Sequence, residues 1–215
     1  IRNFYNVKNQ THHFCSDEHW KEIETKPLND TENKRLDFHL TQKKACKSEE
    51  VSRFISYIGL DSNKPTWLIV PHAHWDNATF NNKNLFNNSI GWLLSVIKNA
   101  QMNRCVNWIL KPHPCEKLKV NYFDTKQIIK DNLGKLPSNI FLLETDAQIS
   151  IYDLMQFISG VVTIRGTSGL EAAIFGKAVL LAGIAHYSHK GFTIDPNTKD
   201  EFERRFIEMK LKEQD

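Results

Sequence analysis

Apolar residues in the second two thirds of the chain gather into short, mostly apolar runs, at 67–70, 106–110, 140–143, 160–165 and 178–183. Each run is four to six residues long and bounded by turn-forming residues, which predicts buried strands. Between the runs the apolar residues recur at helical spacing, predicting helices over 90–97, 123–133, 149–157 and 170–177. Upstream, Val51, Phe54, Ile55 and Ile58 predict a helix over 47–58, closed by the turn Asp61-Ser62-Asn63-Lys64-Pro65. The charged stretch 199–213 reads as a terminal helix. Continuous apolar strands alternating with helices call for a parallel sheet covered on both faces, a Rossmann-like α/β fold. Residues 1–60 form a polar N-terminal extension with that one helix, and 61–215 form the Rossmann-like domain.

In such sheets ligands bind where the loops converge at the carboxyl ends of the strands. The run 160–183 contains Gly166-Thr167-Ser168-Gly169 between a strand and a helix. Small residues opening a helix offer backbone N–H groups and hydroxyls beside the positive end of the helix dipole, which suits a phosphate. Glu171 stands three residues past Ser168, a spacing that fits a capping box or a carboxylate accepting from ribose hydroxyls.

After the first strand, Pro71-His72-Ala73-His74-Trp75-Asp76 puts two imidazoles, a carboxylate and an indole into one loop. A metal set His72/His74/Asp76, a packed loop that caps the next helix, and a catalytic carboxylate at Asp76 all fit that pattern. A metal needs a third or fourth ligand at a suitable spacing, and no metal is assigned. The Asn-rich tract 77–88 reads as a surface loop without chemistry. After the second strand, Lys111-Pro112-His113-Pro114 holds a cation and an imidazole between two prolines. Such rigid placement lowers the ordering cost of capturing a ligand. After the third strand, Thr145 or Asp146 is the expected helix N-cap, with backbone groups at the rim. After the fifth, 183–195 is a polar loop holding Tyr187.

Taken in order, these loops resemble the bacterial capsule polysaccharide biosynthesis family, which includes the Kdo transferases. Val70 to Thr79 is similar to the family's segment in which an Asp precedes a small residue and a Ser or Thr. Lys111-Pro112-His113-Pro114 resembles its Lys-x-His-Pro motif, and Gly166 to Ala172 its Ser/Thr-x-x-Gly-x-Glu-Ala motif. Tyr187 to Asp195 resembles its Tyr-x-x-x-Gly-Leu-Thr-x-Asp ending, with Phe192 in place of the usual Leu. The segment before Asp76 departs too, having His72 where the family often has Gly and then Gln.

The resemblance implies the nucleotide-sugar half, of C-terminal type, of a two-domain GT-B glycosyltransferase. It implies a nucleotide-sugar donor such as CMP-Kdo as substrate, no cofactor, and a glycan or glycolipid acceptor. Asp76 would be the catalytic carboxylate, and His113 would share in catalysis. Lys111, His113, Thr167, Ser168 and Gly169 would hold the donor phosphate, and Glu171 the ribose. His72, His74, Thr145 and Tyr187 would stand at the rim. Related chemistries on the same motifs are nucleotide-sugar epimerisation and polyol-phosphate transfer, and a non-catalytic nucleotide-binding module is the alternative of another class.

Composition narrows the setting. The chain has 215 residues, a net charge of +3 and 25% charged residues. Basic residues are interspersed with acids, so no nucleic-acid surface is indicated. Cys15, Cys46, Cys105 and Cys115 lack Cys-x-x-Cys spacing and fit free thiols in a reducing compartment. The start, Ile1-Arg2-Asn3, carries no signal-peptide pattern and hints at a piece of a longer chain. Cytoplasm is the expected location, with peripheral association at the inner face of the cell membrane.

Overall fold

The structure is a computed structural model that describes residues 48–74, 84–114, 116, 124–145, 147 and 149–209. Five strands, β1 (Thr66–Val70), β2 (Asn107–Leu110), β3 (Ile140–Leu142), β4 (Gly160–Thr163) and β5 (Ala178–Leu181), pair in parallel in the order β3-β2-β1-β4-β5. Among the described residues the helices are α1 (Ser48–Tyr57), α2 (Ser89–Met102), α3 (Thr125–Leu133), α4 (Ile151–Leu154), α5 (Thr167–Ile174) and α6 (Lys199–Ile207). The strand order grows outward from β1 to β3 and then reverses through β4 to β5, the Rossmann order. The expected α/β class is met.

The apolar runs are continuous because both faces of the sheet are covered. Successive side chains alternate between two cores. Trp67, Ile69, Trp108, Leu110, Val162 and Leu180 pack under α2, α3 and α6. Leu68, Ile109, Val161, Val179 and Leu181 pack against α4 and α5, where Val51 of α1 also docks. Neighbouring strands approach closely at Gly160, where a Cβ would stand 2.6 Å from Trp67 ring carbons and 2.8 Å from the Ala178 carbonyl. Only glycine lets the indole lie there.

Three local expectations change. The helix expected over 149–157 is four residues long, and its N-cap is Ser150 rather than Thr145 or Asp146. Asp153 closes a capping box with Ser150, and that pairing sets the start of the helix. Asp146 lies outside the described residues. The Asn-rich tract does structural work at its end. Asn84 bridges to Gly183, Leu85 N–H donates to the Ala182 carbonyl at 2.9 Å, and Phe86 packs edge-on against Phe202. Asn88 then caps α2 by accepting from Gly91 N–H at 2.7 Å. The terminal helix ends at Ile207, where buried Asn103 donates to the carbonyls of Phe206, Ile207 and Met209. A side chain from the α2–β2 connection thus satisfies the open end of α6.

Candidate functional site

A cleft of about 730 Å³ opens over the carboxyl ends of β1 to β4, where the strand order reverses. That is the position at which parallel α/β sheets hold ligands. One wall is the turn from β4 into α5. Gly166 is the N-cap of α5 with extended backbone, and no side chain caps the helix start by a hydrogen bond. A Cβ on Gly166 would stand 3.2 Å from Ser168 Oγ, 3.3 Å from Thr163 Oγ1 and 4.0 Å from His72 Nε2. The hydroxyls and the imidazole from the loop after β1 therefore converge on this one glycine. Arg165, Thr167 and Ser168 line the cleft here, and the helix dipole adds positive potential.

The N-cap position overturns the capping-box spacing of Ser168 and Glu171. With the helix starting at Thr167, Ser168 is already inside the first turn, and Glu171 is left to face the cleft. Tyr152 on α4 hydrogen-bonds to it, and burial followed by the Glu171 charge pushes the Tyr152 phenol well above its ordinary range. Tyr152 thus keeps its proton and orients the carboxylate by donating to it.

The opposite wall is the Lys111–Pro114 turn. Lys111 Nζ donates to the Ile149 carbonyl at 2.9 Å, which steers the ammonium across the mouth of β2 toward α4. His113 also lines the cleft, and its N–H donates to Glu116 Oε1 at 3.3 Å. Glu144 and Thr145 close the β3 side. Asp153 forms part of the floor: its Oδ2 accepts from Ser150, while Oδ1 is buried without a protein partner.

His72, Lys111, His113, Thr145, Thr167, Ser168 and Glu171 thus line one cleft. Three candidates stand elsewhere. His74 is not on the rim: it is 1% exposed, between Ser89 Oγ at 3.1 Å and Thr125 Oγ1 at 3.0 Å. Burial lowers its pKa to about 4, so the imidazole is neutral. Tyr187 is 3% exposed and lies behind the turn, where its hydroxyl donates to the Gly166 carbonyl. Gly169 is buried against that same Tyr187, so its role is to admit the ring rather than to face the cleft. Asp76 lies outside the described residues. No group of three or more His, Cys, Asp or Glu suited to a metal occurs among the described residues.

Several residues of the site escape the sequence reading. Arg165, directly before the Gly-Thr-Ser-Gly turn, could be found as a cation at a strand end. Tyr152 and Asp153 could not, because their helix is too short to show a period. Glu116 and Thr125 carry no motif, and only the fold brings them to His74.

The fold and the cleft define a Rossmann-type α/β domain whose ligand site presents cations, hydroxyls and a helix N-terminus. The chain belongs to the capsule polysaccharide biosynthesis protein family, whose model matches residues 10–213. No curated protein matches its sequence. Among solved structures, it is similar to KpsC of Thermosulfurimonas dismutans, a beta Kdo 2,7 transferase. The two are 19% identical over 74% of this chain and 51% of that one, with a TM-score of 0.43. It is also similar to UDP-GlcNAc 2-epimerase from Neisseria meningitidis, at 20% identity over 66% of this chain and 34% of that one, with a TM-score of 0.42. The third is E. coli ADP-heptose LPS heptosyltransferase II, at 16% identity over 68% and 43%, with a TM-score of 0.40. The chain spans between about a third and about half the length of these proteins. No helix among the described residues is long and apolar enough to cross a membrane.

Proposed function

We propose that this chain is the nucleotide-sugar-binding part of a GT-B-type glycosyltransferase of capsule or surface polysaccharide synthesis. The observation that carries the reading is the convergence of Lys111, Arg165, His113 and the α5 N-terminus on one cleft at the strand-order reversal. A cationic site of that kind stabilises the charge that develops on a departing nucleotide phosphate. Glu171, oriented by Tyr152, accepts from the ribose hydroxyls. The sugar's anomeric C–O bond to the phosphate breaks, a new bond forms to an acceptor hydroxyl oxygen, and Asp76 takes the acceptor's proton. A covalent route with Asp76 as nucleophile uses the same residues in two steps. The donor is CMP-Kdo and the acceptor a glycan or glycolipid, with the protein at the cytoplasmic face of the membrane.

Calorimetry with CMP, CDP and UDP tests the binding half. Saturable binding of at least one supports the reading, and no heat at millimolar nucleotide ends it. For the chemistry, Asp76→Asn removes transfer while leaving nucleotide affinity within about twofold. Transfer at the wild-type rate in that variant would overturn the role of Asp76. Product analysis on the intact enzyme separates transfer from epimerisation.

A further inference from the structure

We propose that Glu116 is a positioning residue of this cleft: its buried carboxylate holds the His113 backbone from below and locks His74, Thr125 and Ser89 into one directed chain of hydrogen bonds. The inference rests on the functional reading above only for what the cleft binds. The geometry itself is independent of that.

Glu116 is 9% exposed, and its two oxygens take three donors. Thr125 N–H donates to Oε2 at 2.8 Å, Thr125 Oγ donates to Oε1 at 2.8 Å, and His113 N–H donates to Oε1 at 3.3 Å. Two of these donors are backbone amides, which cannot reverse. A protonated carboxyl would turn one oxygen into a donor among donors, so the arrangement suits the ionised form. Thr125 is also the first residue of α3, and the carboxylate therefore sits at the positive end of that helix. Burial pushes the Glu116 pKa up, and the bonds from Thr125 and His113 pull it back.

The direction of the chain follows from counting hydrogens. The Thr125 hydroxyl has one hydrogen, and it is given to Glu116. The contact of 3.0 Å between Thr125 Oγ1 and His74 Nε2 must then be a donation from the imidazole. That makes His74 the neutral Nε2–H tautomer, so Nδ1 accepts from Ser89 Oγ at 3.1 Å. The groups facing His74 with charge or titration are Glu116 at 4.0 Å, His72, His113 and Asp124. Four segments meet in this chain: the β1 loop, the start of α2, the end of the Lys-Pro-His-Pro turn and the start of α3. Two of them carry His72 and His113 into the cleft. In the Lys111–Pro114 turn, Lys111 N–H continues the ladder to the Ile69 carbonyl at 2.9 Å and Glu116 N–H returns to the His113 carbonyl at 3.0 Å, and the buried Glu116 carboxylate fixes the His113 N–H between those two anchors.

The test compares two variants that both damage α3. Glu116→Gln leaves one acceptor oxygen and sets an NH2 group among the donors, so the His113 N–H and the Thr125 N–H cannot both keep an acceptor. Asp124→Ala removes the side chain that caps α3 through Gln127 N–H, without touching His113. At a temperature well below both melting transitions, Glu116→Gln weakens binding of the nucleotide that wild type prefers by about tenfold, the size of one hydrogen bond to a charged group. Asp124→Ala leaves it within about twofold. Equal losses in the two variants, or no loss in Glu116→Gln, overturn the proposal. Imidazole nitrogen NMR on the wild-type chain gives a readout that needs no ligand. His74 shows the Nε2–H tautomer, unchanged from about pH 5.5 to about pH 8. An Nδ1–H tautomer, or titration near the ordinary histidine value, overturns the directed chain even where no nucleotide binds. A wild-type chain that binds no nucleotide but keeps the His74 tautomer refutes the functional reading alone.

Discussion

The two walls of the cleft solve the same problem in opposite ways. The β4–α5 wall is made of small residues in consecutive positions, and its geometry comes from backbone: an uncapped Gly166, a first helical turn and Gly169 seated on Tyr187. The β2–α3 wall is made of side chains far apart in sequence, and its geometry comes from a buried hydrogen-bonded knot around Glu116 and His74. The first wall depends on steric fit and is indifferent to pH. The second depends on protonation states. Acid should therefore damage the second wall and spare the first, and overpacking at Gly169 should act on the first without any pH dependence.

Acid is the stress for the β2–α3 wall, and its effect is the largest expected. The folded His74 pKa lies at about 4, below its ordinary value of 6.5, so the folded state resists its protonation. Its contribution to stability is thus complete above about pH 6.5 and is lost as pH falls toward 4. At about 1.4 kcal/mol per pH unit this amounts to about 3–4 kcal/mol as an upper bound. Glu116 works in the other sense. Burial raises its pKa, so its contribution is present in acid and is withdrawn as pH rises through that raised value. The net acid slope of wild type is accordingly smaller than His74 alone would give. Urea melts from pH 7 to pH 4 check this. His74→Gln flattens the slope at a cost of about 1–3 kcal/mol at pH 7, where it leaves buried partners unsatisfied. A slope unchanged in His74→Gln would remove His74 from the knot.

Volume is the stress for the other wall. A Cβ at Gly169 runs into the Tyr187 hydroxyl and stands 3.2 Å from a Val179 methyl. Gly169→Ala therefore destabilises by about 1–3 kcal/mol through overpacking, with no pH dependence. It also displaces Tyr187 from the Gly166 carbonyl and weakens nucleotide binding. Tyr187→Phe in the same chain removes the clashing oxygen and recovers part of the stability. A double-mutant cycle measures that coupling, and strict additivity would show that the two residues do not meet.

The comparison also explains what could be read beforehand. The β4–α5 wall was legible because a strand, a small-residue turn and a helix are contiguous, and each leaves a local mark on the sequence. The same holds for Lys111 and His113 between their prolines. The β2–α3 wall was not legible, because Glu116, Thr125, Ser89 and His74 are brought together only by the crossovers of the sheet. His74 and His72 stand two residues apart in one loop, and nothing in that spacing says that one faces the cleft and the other is sealed inside. Tyr187 misled in the same way: a polar residue in a polar loop suggested the rim, but the segment 187–195 folds back on β5. Ile194 N–H donates to the Val179 carbonyl at 2.8 Å, and Asp195 accepts from Thr193 at 2.7 Å and from His189 N–H at 3.1 Å. That return carries the ring beneath α5.

The smallest expected effect lies where the walls share a residue. Glu171 stands on the backbone-built wall, yet its carboxylate is aimed by a side chain of α4, Tyr152. Tyr152→Phe removes that hydroxyl and leaves the ring, with its tilted contact to Phe175 at 6.1 Å, in place. One neutral donor to a partly exposed carboxylate contributes about 0.5–1.5 kcal/mol. Affinity for the nucleotide should then fall about threefold, with stability nearly unchanged. The loss should be confined to ligands with a ribose: inorganic phosphate should compete as well against the variant as against wild type. Equal weakening toward phosphate and nucleotide would mean that Tyr152 shapes the wall as a whole, and that Glu171 is not its object.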